Sequence, residues 1–354
     1  MKIKIGNNII SDKSKTYFIA DIAANHDGNI SRAKKLIKLA AQNGANAAKF
    51  QHFKAETIVS NFGFEKFKKK THQKDWKKTV FEVYKDASIN FNWTKILKKE
   101  CRKYNIDFLT SPYDLEYVDK VEKHIKAYKI GSGDITWHEI IDKISKKNKP
   151  IIIATGASHM TDVEKAMKII LKNNRRIVLM QCNTNYEASE NNFNFINLNV
   201  LNSFKKKFEN KVILGLSDHT HGHTTVLGAV ALGARVIEKH FTDDNSREGP
   251  DHKFSMNPKT WKAMINETRK LEKAMGNGIK IIEKNERDSS IVQRRSLRVT
   301  KNLPKGRIIH KTDIIPLRPC TRDGISPADI KKVIGKKLKI NIKIGDHLTW
   351  KKIL

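Results

Sequence analysis

Apolar runs of strand length recur along this chain, with helix-patterned segments between them. Phe18-Ile19-Ala20-Asp21-Ile22-Ala23 is followed by SRAKKLIKLAAQNGA, in which Ala33, Leu36, Ile37, Leu39 and Ala40 share one helical face before Gly44 ends it. The pattern predicts a βα unit. It returns at Ala47-Ala48-Lys49-Phe50-Gln51, at IDFLTS from Ile106, at AYKIGS from Ala127, at IIIATG from Ile151, at IVLMQC from Ile177, at Val212-Ile213-Leu214 and at Val236-Ile237. Runs so continuously apolar suit parallel strands buried on both faces. Strict alternation over eight such units predicts an α/β fold of the (β/α)8 TIM-barrel type. A doubly wound sheet fits less well, because no G-x-G-x-x-G follows the first strand.

The polar residues that interrupt the pattern fall at or just past the strand ends. Asp21, Asn25 and His26, Lys49 and Gln51, Ser111, Lys129 and Ser132, Thr155, Asn183 and Tyr186, Ser217 and His219, Glu238 and His240 all sit there. In a barrel these ends form one face, so residues scattered over the sequence converge on one mouth. Residues 54–90 make a long second βα connection rich in Lys, Phe and Trp, of the kind that serves as a lid or binding loop. After Gly276 and Gly278 a charged stretch, IIEKNERDSS, reads as a linker. The expected division is a barrel over 1–280, a linker over 281–292 and a small mixed β domain over 293–354.

Composition changes this picture little. The chain has 354 residues and a formal net charge of +32, from 69 Lys and Arg against 37 Asp and Glu. The excess is mainly lysine in short groups such as Lys68-Lys69-Lys70 and Lys205-Lys206-Lys207, with no arginine-rich arm, RNP-like aromatic pattern or zinc finger. A solvated lysine surface that attracts an anionic substrate is therefore expected, with no nucleic-acid partner. The N-terminus lacks the apolar core of a signal peptide and no run is long enough to span a membrane, so a soluble protein is expected. Three widely spaced cysteines without C-x-x-C spacing point to a reducing, cytoplasmic setting.

Lys49 and Lys129 stand inside apolar strands, where an unpaired charge is costly, and with nearby hydroxyls they suit a phosphate. His219 and His240 end two successive strands, near the carboxylates of Glu238 and Asp251. A single histidine there would merely cap its strand, whereas two in equivalent places suit a divalent metal with open positions. Ser217-Asp218-His219 lacks the nucleophile elbow of a hydrolase, and adjacent strand residues point to opposite faces. Trp76, Trp137 and Trp350 are assigned to packing or loop anchoring. A polyanion-binding protein with an inert barrel would leave the ordered polar mouth unexplained.

The motifs FIADIAANHDG, AAKFQHF, FLTSPYD, AYKIGSGD, IIATGAS, GLSDHT, VIEKHFTDD, REGPDHKFSMNP and RPCTRDGISP, in this order, resemble the sialic acid synthase family, comprising N-acetylneuraminate synthase and its legionaminate and pseudaminate relatives, with a C-terminal antifreeze-like SAF domain. The resemblance implies a metal-dependent condensation of phosphoenolpyruvate with an acylamino sugar, N-acetylmannosamine first and a 2,4-diacetamido-6-deoxyhexose as the alternative, releasing phosphate by C–O cleavage. It implies Mn²⁺ or Mg²⁺ on His219 and His240, with Asp21 and Glu238 also catalytic. Lys49, Ser111, Lys129, Ser132 and Ser217 match positions around phosphoenolpyruvate, and Gln51, Tyr186 and Asp251 match positions near the sugar. Arg318 matches an arginine that enters the partner's barrel in a domain-swapped homodimer. The chain departs from the family pattern at Asp21, where a glutamate is usual, at Ala154, where a phosphate-binding serine leaves Thr155 as substitute, and at Thr184, where an asparagine is displaced to Asn183 and Asn185.

Overall fold

Alternation of side chains along a strand aims every second residue at the interior of a closed sheet, and this sequence supplies suitable residues to both sides. The computed structural model of the chain describes residues 1–67, 73–74 and 76–354; Lys68-Lys69-Lys70 lies outside the described residues. It divides into two compact units, Met1–Gly276 and Asn277–Leu354.

The first unit opens with an antiparallel hairpin, β1 (Lys2–Ile5) and β2 (Asn8–Ser11). Eight parallel strands follow: β3 (Tyr17–Asp21), β4 (Ala47–His52), β5 (Asp107–Pro112), β6 (Tyr128–Ile130), β7 (Ile151–Ala154), β8 (Ile177–Cys182), β9 (Ile213–Asp218) and β10 (Val236–His240). They close into a barrel in sequence order, with β10 returning to β3. The (β/α)8 barrel expected from the alternation is therefore present.

A helix follows each strand: Ile30–Gln42, Trp93–Lys103, Leu115–Glu122, His138–Ser145, Met160–Asn173, Val200–Phe208, Thr224–Ala231 and Pro258–Ala274. Outward strand residues such as Phe18, Phe50, Tyr128, Ile153, Leu179 and Ile237 pack with the apolar helix faces in one large core. Inward residues, among them Ile19, Ala47, Leu109, Ile152, Val178 and Val236, form a second core inside the barrel. Gly215 occupies an inward position where a Cβ would come 2.8 Å from the carbonyl oxygen of Val236 and 3.0 Å from Met180. Only glycine lets β9 and β10 approach there.

Three isoleucines of the N-terminal hairpin, Ile3, Ile5 and Ile10, belong to the inner core with Tyr17, Ile213 and Val236. The hairpin thus plugs the end of the barrel where the strands begin. Asp107 ties the plug down, accepting hydrogen bonds from Asn8 Nδ2 (3.0 Å) and the Tyr17 hydroxyl (2.8 Å). At the opposite end, the long connection after β4 carries the short helices Ala55–Ile58, Asn61–Lys66 and Val80–Ala87, the last capped by a Thr79–Glu82 capping box. Among the described residues, no helix is long and apolar enough to cross a membrane.

The second unit has its own core, built from Leu297, Val299, Leu303, Ile309, Ile325, Val333 and Leu348. Its strands β11 (Ser296–Val299) and β12 (Ile314–Leu317) pair antiparallel, and Arg318 lies exposed just past β12.

The plug makes a stability prediction. Ile5→Ala leaves a cavity in the inner core and should cost about 2 to 5 kcal/mol. Denaturant unfolding should show this loss, while substrate affinity at the far end of the barrel stays unchanged.

Candidate active site

The inward register that buries Ile19, Ala47 and Val236 carries charge one or two steps later on the same strands. Asp21, Lys49, Gln51, Ser111, Lys129, Ser217, Glu238 and His240 all occupy inward positions near the strand ends. Parallel pairing sets Asp21 beside Lys49 and His240, and Glu238 beside Ser217.

Lys49 Nζ lies 2.7 Å from Asp21 Oδ2 and 3.9 Å from Glu238 Oε1, and Lys129 Nζ approaches the same Glu238 oxygen at 3.4 Å. Ser217 Oγ donates to Glu238 Oε1 at 3.3 Å, and Gln51 Nε2 donates to Asp21 Oδ2 at 3.2 Å. Burial opposes the charge on Lys49, but Asp21 and Glu238 outweigh it and hold the ammonium above the ordinary lysine range. The array is not saturated. Ser111 Oγ and Glu238 Oε2 are buried without a hydrogen-bond partner, an arrangement that a ligand would complete.

Above this array the His219 and His240 rings face each other with centroids 5.4 Å apart. His219 Nδ1 contacts the Asn183 carbonyl oxygen at 2.8 Å; with the proton on Nδ1, the Nε2 lone pair is directed elsewhere. His240 lies 3.6 Å from Asp21 through Nε2 and 3.6 Å from Asp251 through Nδ1, and that Nδ1 is buried without a hydrogen bond. Burial lowers the His240 pKa to about 3; Asp251 opposes this, while His219 and Lys49 add to it. Burial opposes charge on His219 too, but the Cys182 thiol and the Asn183 carbonyl outweigh it and raise its pKa, so a divalent cation at this pair of imidazoles, one of them left unbonded at Nδ1, would compete with a proton at His219. Among the described residues, no three His, Cys, Asp or Glu side chains converge on a metal-like geometry. Such an ion would therefore take its remaining ligands from water or substrate.

Aromatic side chains close over the histidine pair. Tyr186 lies 4.4 Å from His219 between ring centroids, and Phe254 lies 4.9 Å from His240 and 5.3 Å from Tyr186. Beyond them opens a cleft of about 1100 Å³ lined in part by Ala24, Trp76, Val83, Ala87, Pro250 and Arg247. Residues from 54–90 therefore contribute to the mouth. Trp76, expected to serve packing or loop anchoring, is among the residues that line this cleft.

Other strand-end residues have structural work. Asn25 Nδ2 donates to the Phe241 carbonyl (3.0 Å) and to Ser255 Oγ (2.9 Å), joining the first and last βα loops. His26 packs edge-on against Trp93. Thr155 Oγ donates to the Met180 carbonyl at 2.9 Å, so its proton is not available to a ligand as a replacement serine would require. Ser132 Oγ accepts the Gly156 N–H at 2.9 Å and also hydrogen-bonds with the Cys182 thiol.

The sequence pattern did not single out Phe254, Asp134 or the Asp27–His252 contact. Asp134 follows β6 in the GSGD turn, where burial, only partly offset by Lys129, raises its carboxyl pKa to about 6. His252 is fully buried between Thr242 Oγ (2.7 Å) and Asp27 Oδ1 (2.8 Å), and Asp251 beside it accepts the Ala24 N–H at 3.1 Å. These contacts lock the loop that carries Asp251 and Phe254 onto the loop after β3. The motif REGPDHKFSMNP marked the region, but a loop has no periodicity from which to read direction.

The buried histidines also set acid stability. An unfolded histidine titrates near 6.5, whereas His240 in the fold titrates near 3, so below about pH 6.5 the unfolded chain binds a proton that the folded chain refuses. His240 thus contributes stability above about pH 6.5 that is lost as pH falls toward 3. In metal-free buffer, unfolding free energy measured between pH 7 and 4.5 should fall less steeply in His240→Asn than in the parent, by about one proton at most.

Comparison with known proteins agrees with this arrangement. The NeuB family profile matches residues 36–280 and the SAF domain profile matches residues 294–354. The chain is 39% identical to the N,N'-diacetyllegionaminic acid synthase of Campylobacter jejuni, over 93% of this chain and 97% of that protein. It is 32% identical to the pseudaminic acid synthase of the same species, over 98% of both. Among solved structures, the N-acetylneuraminic acid synthetase of Leptospira borgpetersenii in complex with citrate is similar with a TM-score of 0.71 and 28% identity, over 82% of this chain and 95% of that one. With barrel, mouth and motifs all in agreement, the chain belongs to the NeuB family and is an enzyme of the nonulosonic acid synthase type.

Proposed function

We propose that this enzyme condenses phosphoenolpyruvate with the open-chain form of an acylamino sugar, using a divalent cation, Mn²⁺ or Mg²⁺, held by His219 and His240. The observation that carries the reading is the stacking of two layers in one mouth: Lys49 and Lys129 flanking Glu238 inside the barrel, and two facing imidazoles above them. The lower layer suits the carboxylate and phosphate of phosphoenolpyruvate, with Ser111, Ser132 and Ser217 supplying hydroxyls. When bound, the cation would supply Lewis-acid polarisation of the sugar aldehyde.

C3 of phosphoenolpyruvate then bonds to the aldehyde carbon, and positive character develops at C2. Water adds at C2, and the resulting tetrahedral carbon expels phosphate by C–O cleavage. Asp21 and Glu238, both buried beside the lysines, are placed to stabilise the positive charge and to take the proton from the water. Gln51 steadies Asp21, and Tyr186 and Asp251 border the sugar side. Asp21, one methylene shorter than glutamate, is brought into the array through Lys49.

For the acceptor, 39% identity with the diacetyllegionaminic acid synthase favours a 2,4-diacetamido-6-deoxyhexose over N-acetylmannosamine. The apolar positions Val83 and Ala87 in the cleft suit the additional methyl groups of such a sugar. Incubation with phosphoenolpyruvate, Mn²⁺ and a panel of both sugar types should give sugar-dependent phosphate release, greater with the diacetamido sugar. Product mass identifies the acceptor, and no release across the panel from folded protein would overturn the reading. Activity should vanish with a chelator and return with Mn²⁺; full turnover in metal-free buffer would remove the metal.

Arg318 is assigned to the sugar site of a second copy in a domain-swapped homodimer. Arg318→Ala should raise the KM for sugar more than that for phosphoenolpyruvate. Mixing Arg318→Ala with inactive His240→Ala chains under subunit exchange should restore part of the activity, because one of the two mixed sites is intact.

A further inference from the structure

The residues next to the two histidines point away from the mouth, yet they carry charge. Asp218 precedes His219 on β9 and Lys239 precedes His240 on β10, and the two lie directly opposite each other in the parallel register. Both face outward beneath the helix Thr224–Ala231, each side chain only 1% exposed, and they form an ion pair. The same ammonium donates to the Thr220 carbonyl oxygen at 2.6 Å. Lys239 therefore grips the chain on both sides of His219, at Asp218 and at Thr220, while lying one residue from His240. Asp218 is held in turn by the hydroxyls of Thr225 (2.7 Å) and Thr220 (2.9 Å).

A buried ion pair is a poor source of net stability, because desolvation of both charges offsets their attraction. Apolar side chains would fill this sheet–helix layer as well. What they could not do is fix the strand-end backbone at 218–220 against β10. An ammonium bonded to a carboxylate and a carbonyl, with two hydroxyls donating to that carboxylate, allows few arrangements of that backbone, and the arrangement sets how far apart the two imidazoles stand and where they aim.

We infer that Lys239 and Asp218 are positioning residues for the cation site, a strut on the outer face of the sheet that holds His219 and His240 at metal-binding separation. The inference rests on the metal reading proposed above. The strut touches neither substrate nor cation and acts only through the two imidazoles.

The test is the double variant Asp218→Leu/Lys239→Met, which removes both charges and leaves neither unpaired in the layer. Circular dichroism checks the fold, electron paramagnetic resonance of free Mn²⁺ measures metal affinity, and calorimetry measures phosphoenolpyruvate binding without metal. The folded double variant should bind Mn²⁺ roughly tenfold or more weakly, the range found when groups that orient metal ligands are lost. Its phosphoenolpyruvate affinity should remain within about twofold of the parent, which separates loss of aim from general damage. A folded double variant with parental Mn²⁺ affinity overturns the inference, as does an equal loss of both affinities.

If the double variant does not fold, Thr225→Val supplies the decision. It takes one hydroxyl from Asp218 and keeps both charges, so Mn²⁺ affinity should fall by about threefold; parental affinity overturns the strut. The His219→Ala and His240→Ala proteins are run beside it. If the parent binds Mn²⁺ no better than they do, the metal reading fails and takes the strut with it. If the parent binds through the histidines and the strut variants bind equally well, the strut alone fails.

Discussion

A closed barrel has no solvent in its centre, so any charge placed there must be neutralised by another. This constraint shapes the mouth of the protein. Two lysines and two carboxylates meet where β3, β4, β6 and β10 end, each deeply buried and each within reach of an opposite charge. Removing one member of such a group strands the others, at a cost of about 3 to 5 kcal/mol. The array is balanced in charge but not in hydrogen bonds, since Ser111 Oγ and Glu238 Oε2 stay unpaired. It is built to receive something more polar than a core would tolerate.

The same alternation that aims charge inward aims other charge outward, and the two faces of the sheet divide the work. Inside lie the groups fitted for chemistry: Asp21, Lys49, Lys129, Glu238 and the imidazoles. Outside, beneath a helix, lies the Asp218–Lys239 pair. The loops add a third layer, in which Asn25, Asp27 and His252 fasten the first βα loop to the last. Buried polar links of this kind preorganise a site, because each satisfied group permits few alternatives. The cleft above is assembled from loops whose lengths and side chains are free to vary, which is where acceptor choice belongs in a barrel enzyme.

Much of this was legible in the linear pattern, and the reason is energetic. A lysine in the middle of an apolar strand is expensive unless used, so Lys49 and Lys129 stood out, as did imidazoles at the ends of neighbouring strands. Asn25, His26 and Thr155 stood at equivalent places and were grouped with them, yet Thr155 spends its proton on the Met180 carbonyl and Asn25 ties two loops together. Position along a strand gives a side chain's direction but not its partner. Trp76 illustrates the reverse case, a loop residue without pattern that lines the cleft.

The sequence alone determined the eight βα units, the face on which the polar residues gather and the motif order that marks the family, because all three follow from local periodicity and short-range composition. Tertiary structure decided the rest. That the N-terminal hairpin plugs the barrel, that His252 meets Asp27 across 225 positions, and that Phe254 closes over His240 depend on contacts between segments distant in the chain. No local pattern encodes such pairings, since they exist only once the sheet has closed and brought its first strand against its last.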